Sequence, residues 1–178
     1  MVRTFIAIEL SEQIRRNIRE IQAIIGLSDA RLTFVDPGAA HITLKFLGEI
    51  DEAMVERVAG ALRTVKAAPF DIAVQGVAGN SRRPRVIWSL VLDAGQCGLL
   101  AAGVDRVLEP LGFPREGRPF RPHVTIARVK EFHPSLLEKV SIVSARRLGS
   151  ATIDGIFFKK STLTPRGPQY ENLAGVPL

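Results

Sequence analysis

Apolar positions along the chain follow two periods, and the switches between them mark out the elements. Residues 2–8 are apolar and β-branched, which predicts a strand. Ser11 then opens a segment in which Ile14, Ile18, Ile21 and Ile25 recur at helical spacing, closed by Gly26. Residues 32–35 and 42–47 read as two strands on either side of Asp36-Pro37-Gly38, a turn in which proline fixes one dihedral and glycine accepts a positive one. Asp51 can cap a second helix with Val55, Val58, Leu62 and Val65 on one face. Two strands follow at 70–77 and 86–92, joined by a polar loop at 79–84. A third helix carries Leu100, Val104, Val107, Leu108 and Leu111 on its apolar side, with Gly112 beyond its end. After Pro114, Pro119 and Pro122 the pattern predicts a strand at 124–129, a short helix from Ser135 and closing strands at 141–148 and 152–163.

Strands outnumber helices and come in consecutive pairs, so strict βαβ alternation fails and an α+β architecture is expected. A chain of 178 residues supports one well-buried core, so residues 1–178 are read as a single domain, with two related halves that point to a pair of lobes. No linker or low-complexity stretch divides it. Glu9 interrupts the first apolar run, which excludes a secretory signal, and no later run approaches the length of a membrane span. Cys97 is the only cysteine, so an internal disulfide and a cysteine-based zinc cluster are both excluded. These features predict a cytoplasmic protein.

Charge changes the picture further. The net charge of +6 and a pI near 10.1 favour a polyanionic partner. The basic residues bunch as Arg82, Arg83 and Arg85; Arg115, Arg118, Arg121 and Arg128; Arg146 and Arg147; and Lys159, Lys160 and Arg166. No basic amphipathic helix with a bulky apolar face accompanies them, so nucleic acid is favoured over a membrane surface.

The sharpest signal is a short repeat. Of three histidines, two begin the sequence His, aliphatic, Thr, aliphatic: His41-Ile42-Thr43-Leu44 and His123-Val124-Thr125-Ile126, 82 residues apart. Two of three histidines with threonine at +2 is a coincidence on the order of one per cent, so the pair carries meaning that one copy would not. Period-2 geometry puts His41 with Thr43, and His123 with Thr125, on one face of each strand, opposite an apolar face. Two imidazoles across a groove suit in-line displacement at phosphorus. One neutral ring takes a proton from the attacking water or hydroxyl, while one protonated ring donates to the leaving oxygen. The threonine hydroxyls can donate to non-bridging phosphate oxygens. This chemistry needs no metal and no cofactor, and each motif offers one good metal ligand only. His133, before Pro134 and without a threonine partner, reads as an exposed loop residue.

These residues resemble the two-histidine (2H) phosphoesterase superfamily, and within it the RNA 2′,3′-cyclic phosphodiesterases, also called 2′-5′ RNA ligases or LigT-like proteins. Segments 3–8, 41–49, 83–88, 120–128, 161–163 and 167–170 carry the likeness. It implies a bilobal α+β fold with two facing antiparallel sheets, helices outside and a cleft between. His41 would then be the general acid for the departing O3′ and His123 the general base for water, with Thr43 and Thr125 on the phosphate and a 2′-phosphate as product. The same likeness implies ATP-independent 2′-5′ joining of RNA ends, hydrolysis run backwards. RNA with 2′,3′-cyclic phosphate ends is the expected partner, tRNA halves being one source, and RNA processing the setting.

Phe46 and Arg128 each lie five residues after their histidine and resemble the family's base-stacking aromatic and phosphate-facing arginine. Simple alternation sends an odd offset to the opposite face, so strong twist, a bulge or the strand's end must re-aim them into the groove, and the competing role for Phe46 is plain core packing. The loop at 78–81 departs from the family in lacking an aromatic-proline pair, which leaves its substrate contacts open. Two other functions compete: a phosphodiesterase for small nucleotides, and a non-catalytic RNA-binding module.

Overall fold

A computed structural model of the chain describes residues 1–165 and 167–178; Arg166, counted above in a basic cluster, lies outside the described residues. Its strands are β1 (Val2–Glu9), β2 (Arg31–Phe34), β3 (His41–Ile50), β4 (Phe70–Gly79), β5 (Val86–Leu92), β6 (His123–Glu131), β7 (Arg147–Ile153), β8 (Gly155–Thr164) and β9 (Gly167–Pro177). Its helices are α1 (Glu12–Ile25), α2 (Glu52–Leu62), α3 (Gln96–Leu108) and α4 (Ser135–Val143). The strands form a four-stranded sheet in the order β3-β1-β8-β9 and a five-stranded sheet in the order β2-β6-β5-β4-β7, with every pairing antiparallel. The fold is α+β with two antiparallel sheets, as the sequence predicts.

The sheets are not the two halves of the chain. β2 pairs with β6, the strand of the second motif, before the chain returns to the first sheet as β3. The chain crosses again after β3 to build β4 through β7, and returns with β8 and β9. Helices cross in the same way: α1 packs on β6, β7 and α4, whereas α3 packs on β3 and α2. Each sheet thus has one face under helices. Ile14, Ile18, Ile21 and Ile25 are fully buried on α1, and Ile6, Ile42, Val58, Leu62, Val104 and Phe158 are fully buried where α2 and α3 cover the first sheet. Each such side chain contributes about 1.5–3 kcal/mol by leaving water.

Caps fall where the sequence puts them. Ser11 Oγ accepts from Ile14 N, and Asp51 Oδ1 accepts from Met54 N at 2.7 Å. Gly26 ends α1 in a right-handed conformation, so its value lies in close approach: a Cβ there would sit 2.9 Å from Gln22 O and 3.3 Å from the Phe34 ring.

Two expectations at the C-terminal end are corrected. Residues 141–143 finish α4 because Leu136, Val140 and Val143 are buried at helical spacing, and the strand expected at 141–148 begins only at Arg147. Thr152 and Ile153 belong to that strand, and Asp154 separates them from β8. β9 was not expected at all. Gly167, Pro168, Gly175 and Pro177 weaken its strand signal, yet they are tolerated because β9 is the edge of its sheet.

Candidate active site

β3 and β6, the strands that carry the two motifs, contact each other where the sheets meet. Along β3, Ile42 and Leu44 enter the core while His41 and Thr43 stay half-buried on the other face; along β6, Val124 and Ile126 are buried while His123 and Thr125 stay half-buried. Alternation then breaks at the same place in both strands. Ala7 pairs with Thr43 and Ile6 with Lys45, so Leu44 has no partner of its own; Trp88 pairs with Thr125 and Ile87 with Ala127, so Ile126 has none. Each is a β-bulge of one extra residue. Two successive residues face the core, Leu44 with Lys45 and Ile126 with Ala127, and the next one comes out on the histidine's face.

That next residue is Phe46 in one strand and Arg128 in the other. Phe46 is 66 % exposed. Its ring lies 6.1 Å from that of Phe5, which in turn lies 4.9 Å from His41. Arg128 is exposed on β6, and its charge is felt by Tyr170 on β9 of the other sheet. The doubled bulge thus resolves the conflict between odd offset and shared face. A second irregularity in β3 is accommodated by Gly48, whose φ of +77° few other residues would adopt.

The two imidazoles are held alike. His41 Nδ1 lies 2.8 Å from Ala39 O, and His123 Nδ1 lies 2.9 Å from Arg121 O. A carbonyl can only accept, so Nδ1 carries the hydrogen in both rings and Nε2 is left for exchange. Aromatic neighbours restrain each ring: Phe5 and Tyr170 at 4.9 and 5.2 Å from His41, Trp88 at 4.9 Å from His123. Burial pushes the His41 pKa below the ordinary histidine value; the Ala39 carbonyl and Glu9 oppose this, whereas Lys159 and His123 add to it.

A polar network behind His41 was not anticipated. Glu9, paired with His41 across β1 and β3, accepts from Lys159 Nζ at 2.6 Å and from Asn172 Nδ2 at 3.2 Å, and Lys159 also donates to Asn172 Oδ1 at 2.6 Å. Burial alone would raise the Glu9 pKa, but these two partners hold it below the usual carboxylate value. Tyr170, in the family-like segment 167–170, packs against His41; burial raises its phenol pKa, against the pull of Arg128 and Arg3. No short-range pattern marks this network, because its members come from β1, β8 and β9.

Lys45, turned inward by the bulge, forms a buried ion pair with Asp105 of α3 at 2.6 Å and donates to Pro114 O at 2.7 Å. Asp105 also accepts from Glu116 N at 3.1 Å. The pair therefore clamps the start of the segment that leads through Arg118 and Arg121 to His123.

His133 lies away from the motifs, half exposed, with Nδ1 against Ser135 Oγ at 2.8 Å and Asp29 at 3.5 Å. Within residues 78–81, Asn80 Oδ1 accepts from Arg85 N and Val86 N and closes the connection between β4 and β5. Cys97 is buried on α3, and burial raises its thiol pKa. Among the described residues no three His, Cys, Asp or Glu side chains gather into a cation site, and no helix is long and apolar enough to cross a membrane.

Two antiparallel sheets that each carry one His-x-Thr pair, on strands in contact, are the arrangement that the resemblance to the two-histidine phosphoesterases implies. Comparison with known proteins agrees. The LigT like phosphoesterase family matches residues 8–88 and 94–170. An RNA 2′,3′-cyclic phosphodiesterase of Archaeoglobus fulgidus is 35% identical over 97% of this chain and 98% of its own length. One from Methanothermobacter thermautotrophicus is 33% identical over 97% and 96%. A crystal structure from Thermus thermophilus superposes with a TM-score of 0.83 at 29% identity, covering 99% of this chain and 97% of that one. Escherichia coli LigT complexed with 3′-AMP shares the fold, with a TM-score of 0.79 at 22% identity over 99% and 98%. The chain belongs to the LigT-like phosphoesterase family.

Proposed function

We propose that the protein hydrolyses RNA 2′,3′-cyclic phosphate ends to 2′-phosphates, using the two histidines as an acid/base pair without a metal. The observation that carries this reading is the matched pair of Nδ1 anchors, which leaves Nε2 of His41 and of His123 free on two strands that meet at one junction. His41 donates its Nε2 proton to the departing O3′. His123 accepts a proton from the attacking water. The P–O3′ bond breaks as the P–O2′ bond is kept, and the proton lost by water to one ring is balanced by the proton given up by the other. Thr43 and Thr125 donate to the non-bridging oxygens, Arg128 offsets their growing charge, and Phe46 offers its exposed ring to the base.

His41 must be protonated for this role, and its lowered pKa in the free protein opposes that. A phosphate anion between the rings favours the charged form, so substrate binding itself helps to create the acid. With a 5′-hydroxyl in place of water at His123, the same groups would join RNA ends: the P–O5′ bond forms, P–O2′ is kept, and O3′ leaves with the proton of His41.

The test is turnover of an oligonucleotide with a 2′,3′-cyclic phosphate end in excess EDTA, with His41→Ala and His123→Ala alongside. Undiminished wild-type turnover and a loss of about 10²–10⁴-fold in each variant are expected. Loss of wild-type activity to EDTA would remove the metal-free mechanism, and a fully active variant would remove that histidine from it.

A further inference from the structure

A cavity of about 550 Å³ opens beside His41. His41 and Tyr170 form its border with the motif residues, and Glu9, Arg15, Asp36, Lys159, Gln169 and Asn172 supply its polar lining. Thr43, Phe46, His123, Thr125 and Arg128 are not part of it. A ligand here would therefore leave the phosphate position and the exposed Phe46 ring free.

Its chemistry narrows the occupant. Two carboxylates, Glu9 and Asp36, balance two cations, Arg15 and Lys159, and the Glu9–Lys159 pair is closed on itself with Asn172. The lining therefore carries no net charge to attract a bare anion. It offers instead the mixed donors and acceptors that a base edge and ribose hydroxyls require. One donor is conspicuous: Arg15 Nε is buried and has no hydrogen-bond partner among the described residues. Buried polar atoms are nearly always paired, so this orphan singles out Arg15 among the residues of the cavity wall. The volume falls within the usual range for small-molecule sites, about 300–1,000 Å³.

We propose that this cavity is a second nucleoside subsite, which takes the nucleoside immediately 5′ to the cyclic-phosphate end while Phe46 serves the terminal base. The inference rests on the cyclic phosphodiesterase reading and sharpens it, since it makes the preferred substrate a strand rather than a mononucleotide. The side of the reaction follows from the same reading. An attacking 5′-hydroxyl or water belongs beside His123, which takes its proton, so the cavity beside His41 serves the strand that bears the cyclic phosphate. The Arg15 guanidinium donates to a carbonyl or hydroxyl of the penultimate nucleoside, and the Gln169 amide, exposed at the rim, supplies a second contact.

The experiment compares kcat/KM for adenosine 2′,3′-cyclic phosphate with that for the dinucleotide ApA carrying the same cyclic end. It uses the wild type, Arg15→Ala, Arg15→Lys and Gln169→Ala, each checked for folding by thermal melting. The wild type is expected to prefer the dinucleotide by about tenfold or more, chiefly through KM. Arg15→Ala and Arg15→Lys should both reduce that ratio at least fivefold, because lysine restores charge but not the planar fork of donors. Gln169→Ala, at an exposed position, should reduce it in the same direction and decides the matter if the arginine variants do not fold. Equal kcat/KM for both substrates in the wild type, or an unchanged ratio in the variants, overturns the subsite. Turnover of neither substrate defeats the phosphodiesterase reading instead. In that case equilibrium binding of ApA decides the subsite: weaker binding by Arg15→Ala sustains it, and equal binding overturns it.

Discussion

His41 sits between opposed influences, so its protonation is tunable by single substitutions. Glu9→Gln removes the carboxylate that favours the charged ring and leaves Lys159 without its counter-charge, so the His41 pKa should fall further. Lys159→Met removes a cation and should raise it. Imidazole proton shifts followed by NMR across pH 4–9 would check both directions, and the alkaline limb of kcat/KM should move the same way. A Glu9→Gln protein whose His41 pKa rises would contradict the assignment of these charges. The same lowered pKa has a consequence for stability. The unfolded chain takes up this proton near pH 6.5 and the folded chain only at lower pH, so folded-state stability falls as pH drops through that window.

Phe46 makes a separable case. It is 66 % exposed, so Phe46→Ala should leave the urea midpoint nearly unchanged, within about 0.5 kcal/mol of folding free energy. Loss of a stacked base should nevertheless weaken binding by about 1–3 kcal/mol, seen as a rise in KM on a cyclic-phosphate oligonucleotide. A large loss of stability with no change in KM would return Phe46 to the role of a packing residue.

The bulges in β3 and β6 are the elements on which the site depends, because each converts an odd offset into a shared face. They explain which part of the site was legible in the sequence. His41, Thr43, His123 and Thr125 obey simple alternation, so their common face follows from spacing alone. Phe46 and Arg128 break it, and what betrays a bulge is two successive core residues. Ile126-Ala127 shows that signal, but in β3 the second core residue is Lys45, a charge that sequence reasoning assigns to solvent. Its partner Asp105 lies 60 residues away on another element, which no local pattern reveals. Lys45→Ala should cost about 3–5 kcal/mol by leaving Asp105 buried and unpaired, whereas Lys45→Met with Asp105→Leu should recover much of that loss. Urea unfolding of both variants is the check. A single variant as stable as the pair would show that the buried charge is not the source of the cost.

For the whole molecule, the interleaved path of the chain separates what composition could reveal from what it could not. Alternating strands and helical stripes sufficed for the α+β class. The assignment of β2 to the second sheet and of β9 to the edge of the first depends on pairing between distant segments. Net charge, in contrast, is read directly, and +6 predicts a salt-sensitive encounter with a polyanion. KM for a cyclic-phosphate oligonucleotide should rise with salt at about 0.7 log units per log unit of salt for each phosphate neutralised, and KM for the mononucleotide should rise less. Equal salt dependence for the two would argue that the basic clusters do not touch RNA.

The central claim, that His41 and His123 act as one acid/base unit, is tested most directly by single-turnover rates on a 2′,3′-cyclic-phosphate oligonucleotide for the wild type, both single alanine variants and the double variant. Groups that act as a unit lose their effect together, so each single variant should fall by about 10²–10⁴-fold and the double variant little further. Losses in the two single variants that multiply in the double variant, or a single variant that keeps the wild-type rate, would contradict it.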